Sequence, residues 1–307
     1  MKLHDTQITN YLTFCKSQKC LDVKTIRAYK IDLTHFASTM PAETSLYDIA
    51  SRQIESYIAH LHSIYKPKTA KRKIASLKAF FHYCEFYEFI ERNPFDKIQI
   101  RFREPVILPK TIPLQTLELF LSTIYNQRQL TTTSYQQKNA LRDAAVIELL
   151  FATGIRISEL CSLKSCDVNL NDNFVLIYGK GSKERKLQIG NDNVLKTLNE
   201  YKNTFSKEIE NCGHFFANQS GKPLSDQSAR RMIQKYASLA GIDQHITPHM
   251  FRHTFASSLL DADVDIRYIQ EMLGHSSITT TQIYTHVTLA KQKMILTTKH
   301  PRNGFSI

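Results

Sequence analysis

Six residues in four separate stretches carry side chains suited to work on a charged ester. They are Arg156 in ATGIRISELCSL, Lys180 in GKGSKER, His249 and Arg252 in TPHMFRHTFASSLL, and His275 with Tyr284 in LGHSSITTTQIYTHV. Two guanidiniums offer planar forks of donors that match phosphate oxygens and keep their charge near neutral pH. Lysine and histidine move protons or hydrogen-bond an anion, and a tyrosine phenol, with a pKa of about 10, becomes a nucleophile once its proton is drawn off. Each residue also has an ordinary structural use. An arginine after a glycine is commonly salt-bridged, a lysine in a hairpin turn solvated, and a buried histidine bonded to backbone. A tyrosine in helical register with Ile278 and Val287 is commonly core.

The elements that must position these residues follow from periodicity and punctuation. A chain of 307 residues is long for one core, so two domains are expected. In DVKTIRAYKIDLTHF, Ile26, Tyr29, Leu33 and Phe36 recur at helical spacing and leave Lys24, Arg27 and Lys30 on another face. A second helix begins after Pro67, with Lys68, Lys71, Arg72 and Lys73 near its exposed amino end and aromatic residues beyond. Four prolines between Asn93 and Pro113 mark a linker, which gives an amino-terminal domain over 1–92, a linker over 93–113 and a second domain over 114–307. Helical periodicity over 114–125 and 140–152 leaves NQRQLTTTSYQQK, residues 126–138, as a loop or a frayed helix end. NFVLIYGKGSKERKLQIG reads as a hairpin with strands over 174–178 and 186–189 and Lys180 near its turn, and SDQSARRMIQKYASLAG as a capped helix closing at Gly241. The fold class is mostly α with a small β-sheet.

Charge narrows the partner. The formal net charge of +12 divides evenly about residue 105, with 17 basic against 11 acidic residues before it and 23 against 17 after it. The surplus is no detachable tail, and both parts are expected to meet a polyanion. Six cysteines show neither CxxC pairs nor zinc spacing and read as reduced thiols of a cytoplasmic protein. The longest apolar run, Ala144 to Ile155, is broken by Glu148 and is too short to span a bilayer, and the first residues carry no secretory or transit pattern.

Together, TGIRISEL, GKGSKER, the HxxR of residues 249 to 252, LGHSSITTTQIYTHV, the NP and LPK of the linker, and TIRAYKIDLTHF resemble the tyrosine recombinase family. The likeness covers nearly the whole chain and is nearest to its compact Xer-like and phage integrase members. It implies a two-domain, C-shaped DNA clamp: a helical, SAM-like core-binding domain and an α+β catalytic domain ending in an exchange helix. Met294, Ile295 and Leu296 would lie on that helix and dock into a neighbouring subunit. The implied reaction is site-specific cleavage and rejoining of DNA through a 3′-phosphotyrosyl ester and a Holliday junction, by a homotetramer on two double-stranded recombination sites, with or without an accessory protein or partner recombinase. No cofactor or metal is implied, because the ester conserves the energy needed for religation, and GxxxxGK[ST], HExxH and EF-hand patterns are absent from the sequence.

The chemistry fits these residue types. Attack on a phosphodiester builds negative charge on the non-bridging oxygens, which Arg156 and Arg252 would clamp. His249 would accept the phenolic proton of Tyr284 and His275 would bond the phosphoryl oxygen, while the resemblance assigns protonation of the leaving 5′ oxygen to Lys180. Glu159, three residues after Arg156, would brace it. Nine residues of continuous helix would separate His275 from Tyr284 by about 13 Å, so the chain must turn after Gly274 and His275, with Ser276 or Ser277 capping a new helix that returns Tyr284. Further phosphate contacts are expected from Lys24, Arg27, Lys71, Arg72, Lys73, Lys183, Arg185, Arg230 and Arg231. A type IB topoisomerase would use the same ester, and a DNA-binding regulator would keep the fold without the catalysis. Chromosome dimer resolution and the integration or excision of a mobile element both remain open.

Overall fold

A computed structural model describes residues 3–41, 44–100, 109–179, 184–218 and 220–274. The chain divides into two compact units, Met1–Val106 and Ile107–Ile307.

The first unit is built on four helices, α1 (Leu3–Ser17), α2 (Val23–Thr39), α3 (Ser51–Ile64) and α4 (Pro67–Phe86). Asp22 caps α2 by accepting from Lys24 N at 2.8 Å, and Pro67 opens α4 where its missing N–H costs nothing. The apolar stripes meet in an aromatic core that includes Tyr11, Phe36, Phe80 and Phe81. A polar knot ties α2 to α4. Buried Asp32 takes an ion pair from Arg72, one from Lys73 at 3.3 Å and a hydrogen bond from Ser76 Oγ at 2.9 Å. The ammonium of Lys73 also lies 5.0 Å from the ring centroid of Tyr65.

Removing one member of such a buried group strands the others without compensation. Asp32→Ala is therefore expected to lower unfolding free energy by about 3–5 kcal/mol, since it leaves the Lys73 ammonium buried and unpaired. Chemical denaturation of the full chain measures this, and a loss under about 1 kcal/mol would mean that Asp32 does not hold the two helices.

The second unit surrounds α6 (Ser134–Thr153), whose residues from Leu141 to Leu150 are nearly all buried because neighbours cover it on all sides. Against it pack α5 (Leu114–Leu130), α8 (Asp192–Thr204) and α11 (Pro248–Asp261). The polar stretch 126–138, expected as a loop or a frayed helix end, holds the end of α5 and the start of α6 with a break only at 131–133. Partners from distant segments hold it: Arg128 pairs with Glu200 and Lys138 with Glu208, while Thr133 caps α6 through Gln136 N.

The hairpin appears as β2 (Phe174–Tyr178) and β3 (Glu184–Gln188), with Ile177 opposite Arg185. A two-residue strand, β1 (Val168–Asn169), pairs antiparallel with β2 and has no sequence signal of its own. Further helices are α7 (Ile157–Ser162), α9 (Ser206–Cys212), α10 (Asp226–Leu239) and α12 (Ile266–Leu273). The expected linker is packed at both ends. Asn93 N–H donates to Glu85 in the first unit, and buried Ile112 N–H donates to Thr254 Oγ1 at 2.8 Å in the second. No described helix is long and apolar enough to cross a membrane.

Candidate active site

Three chain ends converge in the second unit: the end of α6, strand β3 and the end of α12. Helix α6 stops at Gly154, whose φ of +61° is the left-handed region. A Cβ at that position would lie 2.5 Å from Phe255 Cδ1 and 3.1 Å from Leu273 Cδ2, so both conformation and space demand glycine. Arg156 follows as the cap of α7.

Glu159, one turn into α7, reaches back. Its Oε2 accepts from Arg156 N–H at 2.9 Å and its Oε1 from Arg156 Nη1 at 2.8 Å. The same carboxylate receives Arg185 Nη2 at 2.6 Å and Nη1 at 3.2 Å. Burial alone would push Glu159 upward, but the hydrogen bonds from Arg185 and Arg156, with the charge of Arg185, hold it below the usual carboxylate range. Arg185 Nε donates onward to the carbonyl of Met272 at 2.9 Å, in the last turn of α12.

Arg252, on α11, makes a second bridge between the same ends. It is 3% exposed; its Nη1 donates to Gly154 O at 2.8 Å and its Nη2 to Leu273 O at 2.6 Å. Carbonyls that end helices lack intrahelical donors, and here the two arginines supply them. Helix α12 ends at Gly274 with φ +63°, so it terminates immediately before His275.

The sequence-expected residues fall into three groups. Arg156, Glu159 and Arg252 sit on this framework, and Arg156 keeps about a third of its side chain exposed. His249 is exposed in the first turn of α11, one turn before His253, with ring centroids 6.5 Å apart. Lys180, Lys183, His275 and Tyr284, together with the tail carrying Met294, lie outside the described residues.

Two expected phosphate contacts are placed differently. Lys73 is buried against Asp32, and Arg185 is committed to Glu159 and Met272 with a side chain only 10% exposed. Each has a carboxylate partner far away in sequence, which local charge counting could not reveal. Lys24, Arg27 and Lys71 are exposed on the first unit, and Arg230 and Arg231 on α10. Arg72 is half exposed beside Asp32.

His253 was not among the sequence candidates, although its spacing from His249 places both on one helix face. Burial, reinforced by the proximity of His249 and Arg252, pulls its pKa down to about 4, so it is neutral at pH 7.

Residues 124–291 match the phage integrase family and residues 8–85 the phage integrase N-terminal SAM-like domain. A tyrosine recombinase of Agathobacter rectalis is 67% identical over 303 residues, covering 98% of each chain. The tyrosine recombinase XerD of Listeria innocua is 35% identical, covering 96% of this chain and 98% of its own. Among solved structures, the XerH recombinase bound to difH substrate superposes with a TM-score of 0.70 at 24% identity, over 92% of this chain and 83% of that one. The lambda integrase tetramer bound to a Holliday junction gives a TM-score of 0.68 at 18% identity, over 91% and 79%.

Proposed function

The chain belongs to the phage integrase family of tyrosine recombinases, and on that premise we propose that its second unit carries out strand cleavage and religation at Arg156, Lys180, His249, Arg252, His275 and Tyr284. The observation that carries this reading is the pair of bridges at the end of α6. Arg252 grips the carbonyl two residues before Arg156, so two fixed cations stand beside one chain turn. A guanidinium held by buried bonds needs little reorganisation when charge develops on a phosphate.

In the proposed reaction the phenolic oxygen of Tyr284 attacks the scissile phosphorus. The bond to the 5′ oxygen breaks, a 3′-phosphotyrosyl ester forms, and the free 5′ hydroxyl of a second strand later reverses the step. His249 takes the phenolic proton, Lys180 returns one to the departing oxygen, His275 bonds the phosphoryl group, and Arg156 and Arg252 clamp its non-bridging oxygens. The reaction consumes no nucleotide and needs no metal.

The assembly is a homotetramer on two double-stranded sites, in keeping with the lambda integrase tetramer on a Holliday junction. Exposed Lys24, Arg27, Lys71, Arg230 and Arg231 would contact phosphates, and affinity would fall steeply with salt. Chromosome dimer resolution and the movement of a mobile element are both served by this chemistry, which leaves the biological setting to the DNA partner.

The test begins with a pool of random-sequence duplexes, from which the full chain selects its binding site. The recovered sequence is rebuilt as duplexes nicked at successive positions, so that the short downstream fragment carrying the freed 5′ hydroxyl diffuses away after cleavage and leaves the ester trapped. The expected result is an adduct that survives detergent, with the DNA-linked peptide containing Tyr284 by mass spectrometry. An adduct on another residue, or none on a tightly bound duplex across the whole series, would overturn the assignment.

A further inference from the structure

We infer that Arg185 is a positioning residue of the strand-transfer site. From β3 it joins the Arg156 turn, through Glu159, to the carboxyl end of α12, and so keeps the segments leading to Lys180, Arg156 and His275 in one frame. This rests on the proposed assignment of those three residues to catalysis.

The geometry is that of a three-way connector. Arg185 stands five residues after Lys180, its Glu159 partner three after Arg156, and its Met272 acceptor three before His275. Three of its donors are engaged: Nε on the Met272 carbonyl, and Nη1 and Nη2 on the two oxygens of Glu159. A planar fork can make this set at once, whereas a single ammonium cannot. With a side chain 10% exposed, the bonds run through a largely water-excluded region, where they are stiff and costly to break.

Sharing the carboxylate has a second effect. Glu159 gives the guanidinium of Arg156 one bond, from Nη1, because its other oxygen is taken by Arg185 Nη2 and the Arg156 backbone N–H. If Arg185 were absent, Glu159 would be free to close on Arg156 as a bidentate pair and draw its fork away from a phosphate. Arg185 thus protects the cation it never touches.

Gly274 closes the frame from the other side. A Cβ there would lie 2.9 Å from Arg185 Nη1 and 3.2 Å from Cζ, and that guanidinium cannot swing aside without giving up Glu159 or Met272. The residue before His275 is therefore fitted to Arg185 as well as to the left-handed turn.

The test compares Arg185→Gln, Arg185→Lys, Glu159→Gln and the Arg185→Gln/Glu159→Gln double variant with the wild-type chain on the selected nicked duplex. Single-turnover adduct formation and equilibrium binding over a salt series are both measured. Arg185→Gln is expected to slow adduct formation by roughly 100-fold, the scale of a small misplacement of reacting groups. Its affinity should stay within about threefold, and its salt slope should not lose the roughly 0.9 that one phosphate contact contributes. Arg185→Lys should recover part of the rate, and the double variant should be no slower than the slower single one, because both changes break the same connection.

Binding that weakens in step with rate, with a salt slope smaller by about one, would make Arg185 a phosphate contact and overturn the inference. Wild-type rates in Arg185→Gln would overturn it too. Should Arg185→Gln fail to fold by circular dichroism, Arg185→Lys decides: a normal rate refutes a positioning role, and a reduced rate at normal affinity supports it. A wild-type chain that forms no adduct refutes the catalytic assignment instead, a result distinct from any of these.

Discussion

Tyr284→Phe is expected to bind the selected duplex like the wild-type chain and to form no detectable covalent adduct. The substitution deletes one oxygen and leaves the ring, so packing changes little while the nucleophile disappears. Knocking out a nucleophile in a concerted catalytic set costs on the order of 10⁶ in rate, and under the proposed assignment Tyr284 is the group that forms the ester. Timed detergent quenches on the nicked duplex measure the adduct, and binding by fluorescence anisotropy checks that the site is still occupied. Adduct formation within about 100-fold of wild type would show that another group attacks and would remove Tyr284 from the reaction.

The second large effect is expected at Arg252, where one side chain serves stability and chemistry together. Arg252→Ala leaves the carbonyls of Gly154 and Leu273 without their donors in a buried region, at about 1–3 kcal/mol each, and on the proposed assignment it also removes a phosphate clamp worth about 3–4 kcal/mol of barrier. Arg252→Lys separates the two losses. A lysine keeps the charge but cannot reach both carbonyls with a fixed fork, so the unfolding transition should still drop while part of the cleavage rate returns. Thermal unfolding and single-turnover cleavage report the two halves. A stable Arg252→Ala chain would contradict the bridging role, and one that cleaves within about tenfold of wild type would contradict the clamp.

Much of the fold was legible because local signals agreed with tertiary packing. Pro67, Ser225 and Gly241 punctuate the helices where expected, and the β-rich run from Phe174, followed by glycines and charges, marks the hairpin. The failures share a physical cause. Residues 126–138 look like a loop because their helical face is polar, and that face is satisfied by Glu200 and Glu208 some seventy positions on. Lys73 and Arg185 look like surface cations because their carboxylates, Asp32 and Glu159, are 41 and 26 residues away. Strand β1 is two residues long and exists only through pairing with β2. Phosphate chemistry restricts which residue types a sequence can offer for such a site, and that restriction is what singles out Arg156 and Arg252. What could not be read was the use of backbone carbonyls at Gly154, Met272 and Leu273 as anchor points, since every residue has a carbonyl and only packing selects these three.

The close approach at Gly154 bears on how this scaffold can be redirected to new DNA. With Phe255 and Leu273 pressed against its α-carbon, the segment behind the two arginines has no slack to absorb a redesigned neighbour. Libraries meant to change target preference should therefore diversify outward-facing positions of α10, such as Arg230 and Arg231, and leave 154–159 untouched. A variant that gained a new target by altering that inner segment would have had to rebuild the floor of the proposed site as well.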